Sequence, residues 1–371
     1  MNDDHVHMAR ALQLAARGLY STDPNPRVGC VLVKEGRVIG EGWHARAGEP
    51  HAEVHALREA GAAARDATAY VSLEPCSHQG RTPPCCDALI EAGVARVVAA
   101  LEDPNPKVAG EGLQRLRAAG IETEAGLLAA AAEALNPGFC KRMRTGLPWV
   151  RVKLAMSLDG STAMASGESQ WITGEHARRD VQRLRARSSA IVTGSGTLLA
   201  DDPSLNVRLG AEELNGVAPV RQPLRVVLDR TLRTSPEAKL LQQEGPVLIL
   251  TASADGAATR ALQAVGAQVA MCAESERGLD LQAVLRELAA RECNEVLVES
   301  GPTLAGAFVQ AGLVDELIVY LAPHLMGADA RGLLHLPGLV RMEQRIELEI
   351  QDIRAVGRDW RISARPRARP L

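Results

Sequence analysis

The chain has 371 residues, 46% hydrophobic and 23% charged, with a formal net charge of −3. That length suits two soluble domains, and the near-neutral balance excludes a broad basic footprint for nucleic acid. Only 2% of residues are aromatic, so alanine, leucine and valine must fill the interior. No run reaches the roughly 18 apolar residues of a membrane span, and no N-terminal run has the apolar core of a signal peptide. The seven cysteines are an odd number, against a disulfide scaffold and in favour of a reducing, cytoplasmic setting. The short Arg-rich end, Arg365 to Arg369, reads as a solvated tail.

Met8, Leu12, Ala15, Ala16 and Leu19 recur at helical spacing, and the Asp23-Pro24-Asn25-Pro26 turn ends that helix. Val28 to Ile39 reads as a hairpin turning at Glu35-Gly36. His51 opens a helix expected to end near Ala64, Ala69 to Leu73 is a strand, Cys85 to Ala92 a helix and Val94 to Ala100 a strand. Strands alternating with helices imply a sheet with helices on its faces.

His51, Cys76 and Cys85 offer one nitrogen and two sulfurs, a three-ligand set for zinc that leaves the fourth position to water. His51 and Cys85 fall at helix starts, where a thiolate is favoured. Cys86 points about 100° away around its helix and reads as packing. Glu53 is not needed as a ligand and is free to move protons. H-x-E followed by P-C-x-x-C is the signature of zinc nucleobase deaminases; here eight residues, not two, separate Cys76 from Cys85. Zinc lowers the pKa of its water to about 7. Glu53 then takes a proton from that water, the hydroxide attacks a ring carbon bearing an exocyclic amine, and Glu53 protonates the ring nitrogen and the departing ammonia. His5, His7, His44 and His55 lack comparable companions, although His44 and His78 are placed to line a cleft.

Leu135 to Pro148, with two prolines and two glycines, breaks the pattern, and the linker is expected near residue 146. Domains 1–146 and 147–371 follow. Strands are expected at Trp149 to Met156, Ser189 to Thr193, Leu224 to Leu228, Val247 to Thr251, Gln268 to Met271, Glu295 to Glu299 and Leu317 to Leu321. Helices are expected at Glu175 to Ala186, Ala257 to Val265 and Leu281 to Arg291, and a terminal strand pair closes the sheet. Two strands run into Gly-rich joints, Gly194-Ser195-Gly196-Thr197 and Ser300-Gly301-Pro302-Thr303-Leu304-Ala305-Gly306. A strand, a Gly-rich loop and a helix form a phosphate cradle. Neither joint matches the G-x-G-x-x-G fingerprint, so each alone reads better as a tight turn, and only the two together, each after an apolar strand, bring a dinucleotide site level with that reading.

LEPCSHQGRTPPCCDALIEAG, with DPNPRVGCVLV and AGEPHAEVHAL before it, resembles the deaminase half of the bifunctional riboflavin-biosynthesis deaminase/reductases. The long cysteine spacing belongs to that family, whereas single-purpose cytidine and tRNA adenosine deaminases usually have the short one. VKLAMSLDGSTA, SGESQWITG, DDPSLNVR and ESGPTLAGAFVQAGLVDELIVYLAP resemble its reductase half. The resemblance implies an α/β protein, a cytidine-deaminase-like three-layer domain followed by a dihydrofolate-reductase-like domain that uses NADPH. It implies deamination of 2,5-diamino-6-(5-phosphoribosylamino)pyrimidin-4(3H)-one, then reduction of the ribosyl side chain of 5-amino-6-(5-phosphoribosylamino)uracil to ribityl. It places Asn25 against the ring. It puts Ala155, Trp171, Thr197 and Asp201 beside the cofactor, and the Gly301–Ala307 loop (Pro302, Thr303, Leu304, Ala305 and Gly306 between) on the pyrophosphate. Ser169, Arg185, Leu205, Arg208 and Glu299 surround the substrate.

Chemistry adds to this carry-over. Arg185 and Arg208 suit a ribose phosphate, although Arg185 alone reads as a solvated helix face. Lys153 is a donor to the sugar, His78, Arg81 and Thr82 offer donors to the phosphorylated substrate, and Arg230 and Arg233 are candidates for the 2′-phosphate of NADPH. The expected partners are small phosphoribosylaminopyrimidines and further copies of the chain, with no nucleic acid and no membrane. Two other readings stay open. A nucleic-acid base deaminase would show salt-dependent affinity for single strands, and a binding module with a structural zinc would close the metal with a fourth protein ligand.

Overall fold

The computed structural model describes residues 3–77, 83–106 and 108–367. His78, Arg81 and Thr82 lie outside the described residues. The chain divides into two compact units, Met1–Leu147 with Ala211–Val220, and Pro148–Gly210 with Arg221–Leu371. A single cut near residue 146 therefore omits one excursion. Ala211–Val220 is held to the first unit by Arg46, which donates to the Ala218 carbonyl (2.8 Å), and by Asn215, which donates to the Arg17 carbonyl (3.1 Å).

The first unit contains α1 (Asp3–Ala16), the hairpin β1 (Gly29–Lys34) and β2 (Arg37–Trp43), α2 (Ala52–Ala60), β3 (Thr68–Val71), α3 (Cys85–Ala92), β4 (Arg96–Ala99), α4 (Glu111–Ala118), β5 (Glu122–Ala125), α5 (Ala129–Leu135) and α6 (Pro137–Thr145). The sheet order is β2-β1-β3-β4-β5, antiparallel across β1 and parallel from β3 to β5. Side chains alternate between the faces of a strand. Accordingly Cys30 and Leu32 of β1 pack with Ala52, Ala56, Leu89 and Leu116 of α2, α3 and α4. Val31 and Val33 pack with Met8, Leu14 and Ala132 of α1 and α5. The result is three layers. Most of the stretch that breaks the pattern, Leu135 to Pro148, is helix α6, entered through a turn at Asn136 whose side chain hydrogen-bonds both ways to the Arg27 backbone (2.8 and 2.9 Å). Short Ala-rich and Arg-rich segments gave α4 to α6 too little apolar periodicity to be read.

The second unit contains β6 (Trp149–Ser157), β7 (Ser161–Ala163), α7 (Glu175–Arg187), β8 (Ala190–Gly194), α8 (Ser195–Asp201), β9 (Leu224–Leu228), β10 (Val247–Thr251), α9 (Gly256–Ala264), β11 (Gln268–Met271), β12 (Glu274–Ser275), β13 (Gly278–Leu279), α10 (Leu281–Ala290), β14 (Glu295–Glu299), α11 (Pro302–Gln310), β15 (Glu316–Ala322), β16 (Arg331–Gly332), β17 (Leu348–Val356) and β18 (Asp359–Pro366). Its large sheet has the order β11-β10-β9-β8-β14-β6-β15-β18-β17, parallel as far as β15 and antiparallel beyond. Parallel strands demand crossovers, and their direction decides where a ligand can enter. From β8 the chain crosses to β9 on one side; from β14 it crosses to β15 on the other. Two neighbouring strands whose crossovers diverge leave a crevice at their carboxyl ends, the usual ligand position in open α/β sheets.

Candidate functional sites

In the first unit three elements bring the metal-type donors together. His51 is the N-cap of α2, Cys85 opens α3 after Pro84, and Cys76 lies on the chain between β3 and α3. The start of α2 is seated closely on β2, because Gly42 leaves room for the Ala52 carbonyl (a Cβ would stand 2.1 Å away). The ligand atoms of His51, Cys76 and Cys85 lie within 4.8 Å of one another. His51 Nδ1 is 3.2 Å from Cys85 Sγ and 3.6 Å from Cys76 Sγ. Hydrogen bonding from Cys85 and His51 holds the Cys76 thiol well below the usual thiol range, while Cys85, donating to Cys76 and buried, is held well above it. Cys86 points elsewhere, with its sulfur donating to the Pro75 carbonyl at 3.2 Å.

Glu53 is 3% exposed and its Oε2 has no hydrogen-bond partner. Burial, reinforced by Cys76, pushes its carboxyl up to about 7. A buried carboxylate oxygen without a partner is costly in an apolar surround, so its position beside one imidazole and two sulfurs fits a proton-moving role next to zinc. Zinc is also the ion that nitrogen and thiolate donors in this number select. Asn25 Nδ2 donates to His44 Nε2 (3.0 Å), consistent with His44 Nδ1 donating to the Pro50 carbonyl (3.2 Å). His44 is neutral, its pKa lowered to about 4 mainly by burial, and its ring stands edge-on to that of His51 at 5.1 Å. The sequence had left His44 without a companion; Asn25 is that companion.

In the second unit a cavity of about 1630 Å³ opens at the β8/β14 crevice. Lys153, Ala155, Ser169, Trp171, Arg185, Thr197, Asp201, Leu205, Arg208 and Glu299 line it, as do Arg230 and Arg233. The two joints meet there: the Gly301 amide donates to Thr197 Oγ1 at 3.1 Å. Neither joint is the loop expected. Helix α8 begins at Ser195 and α11 at Pro302, so only Ser300 and Gly301 precede the helix at the second joint. Gly301, Pro302, Thr303, Leu304 and Ala307 face the cavity. Ala305 and Gly306 do not: they are buried, and Gly306 packs on the His335 carbonyl with no room for a Cβ (2.1 Å). A helix start facing a large crevice fits a dinucleotide pyrophosphate.

Arg185 is neither a solvated residue nor a free phosphate ligand. Its Nε and Nη2 form a bidentate pair with Glu299 (2.6 and 3.0 Å), and Nη1 donates to the Asn206 carbonyl (3.1 Å). Glu299 is lowered although its burial opposes this, because Arg185, Lys153 and Arg208 surround it. Enclosure lowers the Lys153 ammonium in turn. Lys153 is the register partner of Glu299 across β6 and β14. Arg208 remains exposed toward the cavity.

These sites define the class: a zinc-type nucleobase deaminase unit joined to a nucleotide-binding α/β reductase unit. Comparison with known proteins agrees. Residues 1–101 match the cytidine and deoxycytidylate deaminase zinc-binding region, and residues 148–362 match the RibD C-terminal domain. The riboflavin biosynthesis protein RibD of Escherichia coli (strain K12) is 55% identical over 96% of this chain and 97% of its own. That of Haemophilus influenzae is 49% identical over 99% and 98%. Among solved structures, Acinetobacter baumannii RibD, form 1, has a TM-score of 0.92 at 47% identity, covering 99% of both chains. A diaminohydroxyphosphoribosylaminopyrimidine deaminase/5-amino-6-(5-phosphoribosylamino)uracil reductase from Thermotoga maritima has a TM-score of 0.84 at 32% identity, covering 98% of this chain and 99% of that one. The chain belongs to the RibD family: it is a bifunctional deaminase/reductase of riboflavin biosynthesis, and zinc and NADPH are its cofactors.

Proposed function

We propose that the first unit deaminates 2,5-diamino-6-(5-phosphoribosylamino)pyrimidin-4(3H)-one and that the second reduces the ribosyl side chain of the resulting 5-amino-6-(5-phosphoribosylamino)uracil to ribityl. The observation that carries this reading is the convergence of His51, Cys76 and Cys85 within 4.8 Å beside the buried Glu53. Zinc, when bound by those three side chains, supplies a Lewis acid that makes water a nucleophile at neutral pH. Glu53 accepts the proton of the attacking water and returns protons to the ring nitrogen and the leaving ammonia. Asn25, braced by His44, orients the ring.

NADPH, when bound in the second unit, supplies the reducing equivalent that opens the sugar ring. Trp171, Ala155, Thr197, Asp201 and the start of α11 hold it there. Lys153 donates to the reacting sugar, Arg208 takes the substrate phosphate, and the Arg185–Glu299 pair fixes the wall between them, with Ser169 and Leu205 completing it. Arg233, donating to the Ser195 hydroxyl at 2.9 Å, takes the 2′-phosphate, since Arg230 is engaged by Glu274.

The boundary between the two activities lies near residue 146. The chain works in a reducing, cytoplasmic setting, a reading its free cysteines support. Among the described residues no helix is long and apolar enough to cross a membrane. It self-associates through the exposed apolar side chains Leu348, Ile350 and Ile353 of the edge strand β17; sedimentation of an Ile350→Lys, Ile353→Lys variant as the same species as wild type would remove that reading. A two-stage assay tests the activities. The diaminopyrimidine phosphate is supplied without NADPH and ammonia is followed; NADPH is then added and its absorbance followed. Both signals are expected, in that order. Absence of ammonia from the zinc-loaded protein would refute the substrate assignment.

A further inference from the structure

We propose that Glu74 is a positioning residue for the metal centre, fixing the stretch of chain that presents Cys76. This rests on the reading of His51, Cys76 and Cys85 as metal ligands. Two of the three are carried by helix starts and inherit their position from the core. Cys76 alone sits on chain without regular structure, so something else must hold it.

Glu74 is 4% exposed. Its carboxylate accepts four backbone amides. Oε2 takes those of Asp103 (2.9 Å) and Gly110 (3.0 Å), and Oε1 those of Gly112 (2.8 Å) and Leu113 (3.1 Å). Two of these are donors from the first turn of α4, which a helix cannot satisfy internally. A carboxylate there also meets the favourable end of the helix dipole, and bonds to an ionised acceptor are the stronger kind.

Closing a turn would account for that much. The neighbours of Glu74 go further, because α4 grips the chain on both sides of Cys76. Before it, the Pro75 carbonyl lies against Gly112, where a Cβ would stand 2.1 Å away. After it, Arg115 of α4 donates to the Ser77 carbonyl at 3.1 Å. Cys76 is then met from α3: the Cys85 amide donates to its sulfur (3.3 Å) and the Cys86 amide to its carbonyl (3.2 Å). Glu74 is the charged anchor of this clamp. Its loss would free the sulfur to move while the helices that carry the other two ligands stay in place.

Glu74→Gln keeps the shape but turns an NH2 group toward amide donors. Loss of such an outer partner typically weakens metal sites about 10–100-fold. The expected result is zinc transfer to a chelator about 10–100-fold faster than from wild type, with a shifted or weakened sulfur-to-metal absorption band in the cobalt(II)-substituted full-length protein. NADPH oxidation with the deaminated substrate should be unchanged, and a cooperative thermal unfolding transition of the first unit shows that this unit is folded. Wild-type zinc release and a wild-type cobalt band in Glu74→Gln would overturn the proposal and leave Glu74 as a turn-closing residue. If Glu74→Gln does not fold, Glu74→Asp, which keeps the charge but shortens its reach to the four amides, carries the test: faster zinc release supports the anchor, and a wild-type rate overturns it. A wild-type protein that takes up neither zinc nor cobalt defeats the ligand assignment instead.

Discussion

The two sites solve the problem of holding a reaction in opposite ways. The deaminase-type site is small: three ligand atoms within 4.8 Å and one buried carboxylate, placed by two helix starts and one braced loop. The reductase-type site is a cavity of about 1630 Å³ at a crevice between diverging crossovers, where many residues from several strand ends contribute little each. In the first, the identities of the donors are enough to state the chemistry. In the second, the cofactor brings the chemistry and the protein supplies placement, so no single residue is diagnostic. Substitutions should therefore act steeply and selectively in the first site and shallowly in the second.

The steepest contrast is expected from metal removal. Dialysis against a chelator should abolish ammonia release while NADPH oxidation with the deaminated substrate continues, and added zinc should restore the first activity. Loss of both activities together would mean that the units are not independent. Glu53→Gln comes next. General acid–base catalysis is worth about 10²–10⁴-fold, so ammonia release should fall by that range. Thermal stability should hold or rise, since the substitution removes a buried charge with an unpartnered oxygen. A fall in stability together with modest loss of rate would make Glu53 structural.

In the second site the largest effect should be on stability and not on chemistry. Glu299→Ala leaves the Arg185 guanidinium nearly buried without its bidentate partner. Breaking such a pair costs roughly 3–5 kcal/mol. A matching fall in the denaturation midpoint of this unit is expected, with ammonia release intact. A drop of less than about 1 kcal/mol would place the pair in the solvated class and return Arg185 to the role of a free phosphate ligand.

The same contrast explains what was legible in the sequence. Donor identity and helix starts are local, so His51, Glu53, Cys76 and Cys85 were readable, and most strands of both sheets were readable as apolar runs. The phosphate-type joints were readable as Gly-rich but not as helix starts, because Gly194 and Gly301 say that a tight passage exists and not where the helix begins. What the residues alone did not show were single contacts to distant partners. Arg185 looked solvated because Glu299 is 114 positions away. Asn25 had no visible brace because His44 belongs to another loop. Ala211–Val220 gave no sign of joining the first unit, since its anchors are an Arg46 side chain and the carbonyls of residues 16 and 17. Backbone acceptors leave no mark in a sequence.

The smallest effects should separate two neighbouring arginines. A charge-assisted hydrogen bond contributes about 1.5–3 kcal/mol, or about 10–100-fold in affinity. Arg233→Ala should weaken NADPH binding by that range, measured by titration, and leave NADH binding unchanged. Arg230→Ala should change neither by more than about threefold. Its pair with Glu274 is half exposed on both sides, and such pairs contribute at most about 1 kcal/mol. If Arg230→Ala discriminates between the cofactors and Arg233→Ala does not, the ion pair with Glu274 must open when NADPH binds, and the 2′-phosphate belongs on the Arg230 side of the cavity. If neither discriminates, the 2′-phosphate lies beyond both arginines, and the remaining cavity-lining cations, Arg277 and Lys239 first, become the residues to test.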